Sequence, residues 1–483
     1  MNVKAISRYV GSALLVSALF MFLSVIVSII YGTDSGFVPL AVSCVITAIV
    51  GGFPFIFVHK TPEVTVKDGY IIIVLSWMLS FILGMLPYVL WGGEFSLINA
   101  WFESVSGFTT TGATILKDIE ALPNSLLFWR SSTHLIGGLG VIVFLLLVLP
   151  QASPFRHRLT NMELSSLSRE GYHLRGSSTV KVIVTVFFTL IVTEFIALVI
   201  AGMPVFDAIN HAFSNCATGG FSTKNLSIGY YHSNAIYIIV MVYMILAATH
   251  FGMLFSVVAG RSLKPLKNPV FIYFIGCVIV LGFVMSMSLK LQGGYESWGK
   301  AFMDGYFHLL SYITTSGFAI EDTTNIPVLC SVILMLAGFQ CACAGSTTGG
   351  LKADRVLLVV KTVRRDVYSK LHPSSVRQVR IGGQSVADSA VLPVMTYIAL
   401  YVMVIVVSFA LLMLIGVDTI EAFSGSLASV GNVGPGLASI GTAGNFSAQP
   451  LVAKFIYTVD MFFGRLEIYP VLIAVSMIFR RNR

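Results

Sequence analysis

Ten runs of about twenty apolar residues, most free of charge in their middle third, constrain this chain more than any motif in it. They lie at approximately 9–31, 36–58, 69–91, 125–149, 178–202, 233–259, 270–292, 326–363, 390–416 and 450–479. A hydrocarbon core of roughly 30 Å needs roughly 20 residues of helix to cross. Within that core every backbone N–H and C=O must be satisfied internally, so the runs read as helices of a polytopic membrane protein. A hydrophobic fraction of 56% with only 11% charged residues excludes a soluble globular domain and a disordered chain alike. The first run follows Lys4 and Arg8 but is long enough to span and lacks a clear small-residue cleavage site, so it is expected to remain as a helix.

The net charge of +8 is explained by topology rather than by nucleic acid. With both termini and alternate loops inside, the cytoplasmic side collects most of the 30 lysines and arginines, from Lys4 and Arg8 through the segments 156–181, 261–267 and 352–380 to Arg480, Arg481 and Arg483. The six cysteines have neither zinc-site nor disulfide spacing and read as small core residues.

Four shorter segments, too short to cross and too apolar for ordinary loops, fall on the outer side between pairs of spans. They are "LINAWFESVSGFTTTGAT" (97–114), "FDAINHAFSNCATGGFST" (206–223), "GKAFMDGYFHLLSYITTSGFA" (299–319) and "IEAFSGSLASVGNVGPG" (420–436). Each runs into a Thr/Ser/Asn-rich turn and a glycine, and superposing the turns puts Gly112, Gly219, Gly317 and Gly434 in one column. Non-helical backbone at membrane depth is tolerated only where it is buried in protein or lines a cavity. The expected fold is therefore an all-α polytopic membrane protein of ten transmembrane helices. Four pseudo-symmetric helix / re-entrant pore loop / helix repeats surround one pore, preceded by two extra helices. The expected units are 1–68 (two leading helices), 69–155 (repeat 1), 156–265 (basic linker and repeat 2), 266–380 (repeat 3 with its cytoplasmic linker) and 381–483 (repeat 4). Glycine takes left-handed conformations without steric cost, which lets successive carbonyls face an axis and replace the water shell of a potassium ion. "NVGPG" (432–436) is similar to the potassium-channel pentapeptide "TVGYG".

These features, with "CACAGSTTGGLKADR" interrupting the eighth span and "FFGRLE" in the last, resemble the Trk/Ktr/HKT superfamily of potassium transporters, in particular its bacterial Trk potassium-uptake members. The resemblance covers the whole chain. It implies potassium uptake across the bacterial inner membrane through a channel-like pore with both termini cytoplasmic, homodimerisation, and control by a cytosolic nucleotide-binding ring of the TrkA type. Potassium is then the transported ion, with no organic cofactor in this chain. Mapped onto this sequence, the filter carbonyls belong to Thr110, Thr111, Gly112, Ala217, Thr218, Gly219, Thr315, Ser316, Gly317, Asn432, Val433 and Gly434. The resemblance makes Gly345, Ser346, Thr347, Thr348, Gly349 and Gly350 an intramembrane gate.

A Walker-type phosphate loop is a poor reading of 345–350, because Lys352 is one place late and no Ser or Thr follows it. Arg465 lies near the middle of the last span, too far from either end to snorkel. It is expected to project below the filter and to tune conduction, or else to form a structural ion pair within the bundle. Glu467 points to another helix face. His211, His308 and His250 read as structural histidines, and Asp207, Asp304 and Glu421 as caps of the pore helices. The basic segment 361–380 suits anionic lipid or a regulatory ring. A coupled potassium/proton or potassium/sodium symporter is the alternative. It would need ionisable groups near the midplane, where Arg465 is the charge that stands out. No paired nucleophile, base or metal-ligand spacing suggests an enzyme.

Overall fold

The computed structural model describes residues 2–58, 64–148, 176–375, 377–381, 384–386 and 388–480. The basic linker expected at 156–175 lies outside them. The first two helices, α1 (Val3–Ile30) and α2 (Phe37–Phe57), form an antiparallel hairpin. A methyl on Gly11 would stand 2.5 Å from the carbonyl oxygen of Gly51, the close backbone approach that small residues permit between membrane helices. Asn2 caps α1 and donates its own N–H to Asp68, which closes a capping box with Thr65 at the start of α3 (Val66–Gly84).

Each repeat then follows one plan. Repeat 1 is α3 with its continuation α4 (Leu86–Trp91), the half-membrane helix α5 (Leu97–Phe108) and α6 (Asn124–Val148). Repeat 2 is α7 (Gly176–Ile200), the half-helix α8 (Val205–Cys216), and α9 (Asn234–Ala247) with α10 (Phe251–Gly260). Repeat 3 is α11 (Pro269–Gln292), the half-helix α12 (Trp298–Ile313), and α13 (Val328–Phe339) with α14 (Ala353–Leu371). Repeat 4 is α15 (Asp388–Leu414), the half-helix α16 (Thr419–Gly431), and α17 (Leu451–Arg465) with α18 (Tyr469–Arg480). The expected all-helical, fourfold-repeated architecture is present. The linker after α14 adds a small antiparallel hairpin, Val379–Ile381 with Gln384–Val386, in which Val379 faces Val386.

Polarity is inverted relative to a soluble protein. Ile30, Val258 and Leu414 are more than 70% exposed, while Ser104, Ser106, Thr109, Thr110, Thr314 and Thr315 are fully buried in the bundle. An apolar outside suits lipid, and the polar inside must then satisfy itself or a solvated passage. Among the described residues six helices are long and apolar enough to cross a membrane, and the pair α9–α10 makes a seventh, bent by 101° at residues 248–250. The inner helices of repeats 3 and 4 are likewise broken, at 340–352 and at 466–468. Glu467 and Ile468 at the second break both have φ +58°.

A four-loop ring and an intramembrane clasp

All four half-helices end at equivalent turns. Thr110, Thr218, Thr315 and Asn432 take left-handed conformations with φ between +51° and +55°. Two residues later come Gly112, Gly220, Gly317 and Gly434, with φ from +70° to +100°. The residue between them donates its N–H to the carbonyl five positions back in every repeat: Thr111 to Ser106, Gly219 to Ser214, Ser316 to Ser311 and Val433 to Ala428, at 2.8–2.9 Å. This common geometry corrects the sequence alignment in repeat 2. Gly220, not Gly219, stands in the column of Gly112, Gly317 and Gly434, so the equivalent triplet is Thr218–Gly219–Gly220, and Ala217 is the helix cap that precedes it.

The four glycines close a cycle. A Cβ on Gly112 would lie 1.9 Å from the carbonyl oxygen of Gly219; on Gly220, 2.3 Å from that of Ser316; on Gly317, 2.6 Å from that of Val433; and on Gly434, 2.5 Å from that of Thr111. Each repeat thus packs its glycine on the equivalent carbonyl of the next. The C-terminal, partially negative ends of four half-helices converge on this ring. Neighbouring hydroxyls lock the turns: Thr109 with Thr111 at 2.8 Å and Thr314 with Ser316 at 2.9 Å, while the Asn432 amide donates to Thr111 at 3.0 Å. On the side where the chain leaves the ring glycines lies a polar cavity of about 120 Å³, whose charged lining side chains are Lys117, Arg130 and Lys224.

On the opposite side of the ring sits the loop between α13 and α14. Its neck is closed by the N–H of Cys341 on the Leu351 carbonyl and that of Ala353 on the Ala342 carbonyl, both 2.9 Å. Gly345 and Gly350 supply positive φ where the chain reverses. The Ser346 hydroxyl meets Cys343 O and Thr348 Oγ1 at 2.6 and 2.8 Å. The loop reaches three other places. Thr347 donates its hydroxyl to Cys216 O at 3.0 Å and to Ala247 O at 3.3 Å, so it occupies the bend between α9 and α10. The Gly349 N–H donates to Thr315 Oγ1 at 3.1 Å, and a Cβ on Gly349 would strike Asn432 and Gly431. The Arg465 guanidinium donates to the carbonyls of Thr347 at 2.8 Å and Gly137 at 2.7 Å, joining the loop to α6. Loop 345–350 and Arg465 therefore form one clasp directly inside the ring. Lys352, counted by the sequence among the cytoplasmic basic residues and set aside as a phosphate-loop lysine, is instead buried with its ammonium on Thr348 O.

With this ring and clasp in place, the comparisons with known proteins are decisive. The family model described as TrkH, cation transport protein, matches residues 37–482. The chain belongs to the TrkH family. It is 33% identical to the "Trk system potassium uptake protein TrkH" of Salmonella typhimurium, with all of both chains covered. It is 31% identical to the TrkG protein of Escherichia coli K12, covering 100% of this chain and 99% of that one. The crystal structure of the potassium transporter TrkH from Vibrio parahaemolyticus superposes with a TM-score of 0.88 at 32% identity, over 98% of each chain.

In this TrkH-family chain Glu467, His211 and His308 stand as the sequence predicts, and the acids of the half-helices do not. Glu467 pairs with Arg355 at 2.5 Å rather than with Arg465. His211 and His308 bond backbone carbonyls four residues earlier, Asp207 O at 2.7 Å and Asp304 O at 2.9 Å, as structural histidines would. Asp207, Asp304 and Glu421 do not cap. The half-helix N-caps are Ser96, Pro204, Ser297 and Asp418, whereas Asp207 accepts from Thr223 and Glu421 from Ser439 and Gln449, beyond the ring. Sequence reasoning also passed over buried carboxylates within spans, Glu194 and Asp460 among them. Glu194 accepts from Asn215 and Cys216 at 2.6 and 3.0 Å, and Asp460 accepts from Ser408 at 2.5 Å. An acid inside each of two apolar runs was the available signal.

Proposed function

We propose that the chain takes up potassium across the bacterial inner membrane through a channel-like pore. The ring of four loops is its selectivity filter, and loop 345–350 with Arg465 is its gate. The observation that carries this reading is the closed cycle of Gly112, Gly220, Gly317 and Gly434 on the carbonyls of Gly219, Ser316, Val433 and Thr111. Backbone oxygens held in a ring replace the hydration shell of a potassium ion, and the half-helix dipoles favour the cation at their C-terminal ends. The potassium uptake named for its relatives supports the substrate. Potassium is cargo here. The membrane potential supplies about 2.3 kcal/mol per charge per 100 mV, enough to drive accumulation without coupled chemistry.

The clasp obstructs the passage below the ring, and opening it means breaking the bonds that Arg465, Thr347 and Gly349 make across repeats. Withdrawal of the loop toward the cytoplasmic helix α14 would clear the path. A homodimer with both termini cytoplasmic, regulated by a nucleotide-binding ring of the TrkA type bearing on the basic segment 361–380, completes the proposal. The runner-up is a potassium/proton or potassium/sodium symporter, favoured by the buried carboxylates Glu194 and Asp460.

Flux of potassium and sodium into proteoliposomes under an imposed voltage, with and without a pH gradient, tests the proposal. Voltage-driven, potassium-selective flux indifferent to the pH gradient is expected. Flux that runs only with a proton or sodium gradient would replace the channel with a coupled cycle.

A further inference from the structure

Behind the ring, at the junction of repeats 1 and 2, lies an ion pair that the gate and filter as described do not use. Glu103 on half-helix α5 and Arg130 on α6 are 0% and 1% exposed, with Nε and Nη2 of the arginine 2.8 and 2.7 Å from Oε1 of the glutamate. Taking two charges out of water costs more than their attraction commonly returns, and an apolar pair of similar volume is often as stable or more so. Stability is therefore a weak reason for charge here. The remaining bonds give a better one.

Glu103 also accepts the Thr114 hydroxyl at 3.0 and 3.1 Å and the N–H of Ile115 at 3.1 Å. Arg130 donates to the Ser222 carbonyl at 3.2 Å and to the Thr114 hydroxyl at 3.4 Å, and its Cζ lies 4.0 Å over the ring of Phe221. Thr114 and Ser222 each stand two residues beyond their ring glycines, Gly112 and Gly220. One guanidinium thus fixes the outer ends of two adjacent filter loops relative to each other. Phe221 passes the restraint inward by stacking on His134 at 4.2 Å, whose Nδ1 meets Ser214 of the second half-helix at 2.9 Å.

The pseudo-symmetry shows that this pair is a departure. Nine positions before the ring glycine stand Glu103, His211, His308 and Gly425. His211 reaches the equivalent residue of its own repeat, with Nε2 2.9 Å from Ser222 Oγ, so Ser222 is held through its carbonyl by repeat 1 and through its hydroxyl by repeat 2. His308 instead meets the Glu321 carbonyl, four residues beyond Gly317, at 3.2 Å. Only Glu103, of the four equivalents, is paired with a charged side chain that bridges to the next repeat.

We infer that Glu103 and Arg130 are positioning residues that set ion discrimination by fixing the spacing of filter loops 1 and 2. The inference rests on the filter reading above. Neither residue touches the ion. The carbonyls they govern, Thr111 O and Gly219 O, belong to the ring, where the number and spacing of oxygens separate potassium from the smaller sodium. Lysine in place of Arg130 keeps the charge opposite Glu103 but lacks the planar fork that spans Glu103, Thr114 and Ser222.

The test compares wild type, Arg130→Lys, Glu103→Gln and Thr114→Val in proteoliposomes, reading the potassium-to-sodium permeability ratio from the reversal potential. That ratio does not depend on how much active protein is present. Loss of one such contact predicts a fall in the ratio on the order of fivefold for Arg130→Lys and Glu103→Gln, and on the order of twofold for Thr114→Val, with flux retained. The double variant Arg130→Lys/Glu103→Gln should lose no more than the larger single, because both act through one set of bonds. Thr114→Val leaves no unpaired buried charge, so it keeps the test decisive if the others fail to fold. A second reading is thermal stability in detergent, where potassium should raise the unfolding temperature above sodium in wild type and less so in the variants. Folded variants with the wild-type ratio and the wild-type potassium shift would overturn the inference. A wild type that itself shows no potassium preference would instead overturn the filter reading.

Discussion

Thr110, Thr218 and Thr315 carry the backbone strain on which the ring depends, and Asn432, which takes the left-handed conformation readily, fills the fourth place. A β-branched residue at positive φ costs of order 1–3 kcal/mol and persists only where the surroundings over-determine it. Here the surroundings are the capping bonds of the half-helices and the glycine two places on. Glycine was legible as the residue that permits the turn, but the threonine at positive φ was not, because nothing in its chemistry favours that conformation. For the same reason the two adjacent glycines of "ATGGF" could be aligned either way, and only backbone geometry selects Gly220. Serine at Gly112 or Gly220 would have to displace a backbone oxygen 1.9 or 2.3 Å away, at a φ of +80° or +87°. Gly112→Ser and Gly220→Ser are each expected to cut potassium-over-sodium discrimination by on the order of tenfold or more, measured as reversal-potential shifts. Wild-type discrimination in Gly220→Ser would remove Gly220 from the filter. Arg465 is the second residue whose role can be isolated: Arg465→Ala removes the bonds to Thr347 O and Gly137 O, and voltage-driven flux should rise severalfold at equal expression.

At the scale of elements, the positions of the helices were readable from hydropathy, and their breaks were only partly so. "CACAGSTTGG" announced itself by composition, since a run of Gly, Ser and Thr makes poor helix. The bend at 248–250 had no such mark, and the break at 466–468 had only Pro470 two residues beyond it. "ATH" and "LEI" are ordinary helical residues, and their conformations answer to tertiary partners: loop 345–350 inserted at the first, Arg355 on Glu467 at the second. Thr347 joins the loop to that first bend. Thr347→Val keeps the shape and removes the hydroxyl proton shared between Cys216 O and Ala247 O, so gating should loosen and flux rise, and combining it with Arg465→Ala should give less than the product of the two effects because both release the same loop. Additive effects in that double-mutant cycle would separate the arginine from the loop. The α1–α2 hairpin has its own fastening at Asp34, which accepts Ser28 Oγ at 2.6 Å, Ser125 Oγ at 2.7 Å and the N–H groups of Ser125 and Gly36. Burial works against its charge, but these bonds outweigh it and hold the carboxyl below its ordinary 3.8. A carboxyl lowered on folding stabilises above its unfolded value and loses that contribution as pH falls through its folded value. Asp34→Asn should therefore lower the unfolding temperature near neutrality and approach wild type below about pH 4.

For the whole molecule, four unlike repeats build one ring, and that is why the fold was visible in the sequence while the mechanism was less so. Topological repetition survives divergence because each copy must still pair a half-helix with two spans and a glycine turn. The coupling of transport is not a property of repetition. It turns on which buried groups change protonation, and the sequence reading gave weight to Arg465 while missing Glu194 and Asp460. Both carboxylates have structural partners: Glu194 braces Asn215 and Cys216 at the base of half-helix α8, and Asp460 ties α17 to Ser408 of α15 through one of its oxygens. Neither is among the residues whose backbone or side chain closes the ring or the clasp. A proton-coupled cycle would require a buried carboxylate, such as one of these, to load and release a proton each turn. Glu194→Gln and Asp460→Asn, which keep hydrogen bonding but cannot ionise, therefore discriminate at the level of the whole transporter. Under the channel reading, both variants should retain potassium flux that follows voltage and ignores an imposed pH gradient, with changes confined to stability or flux amplitude. If wild-type flux answers to the pH gradient and either variant abolishes that response, the carboxylate belongs to a coupling path, and the ring and clasp would be the ion pathway of a symporter.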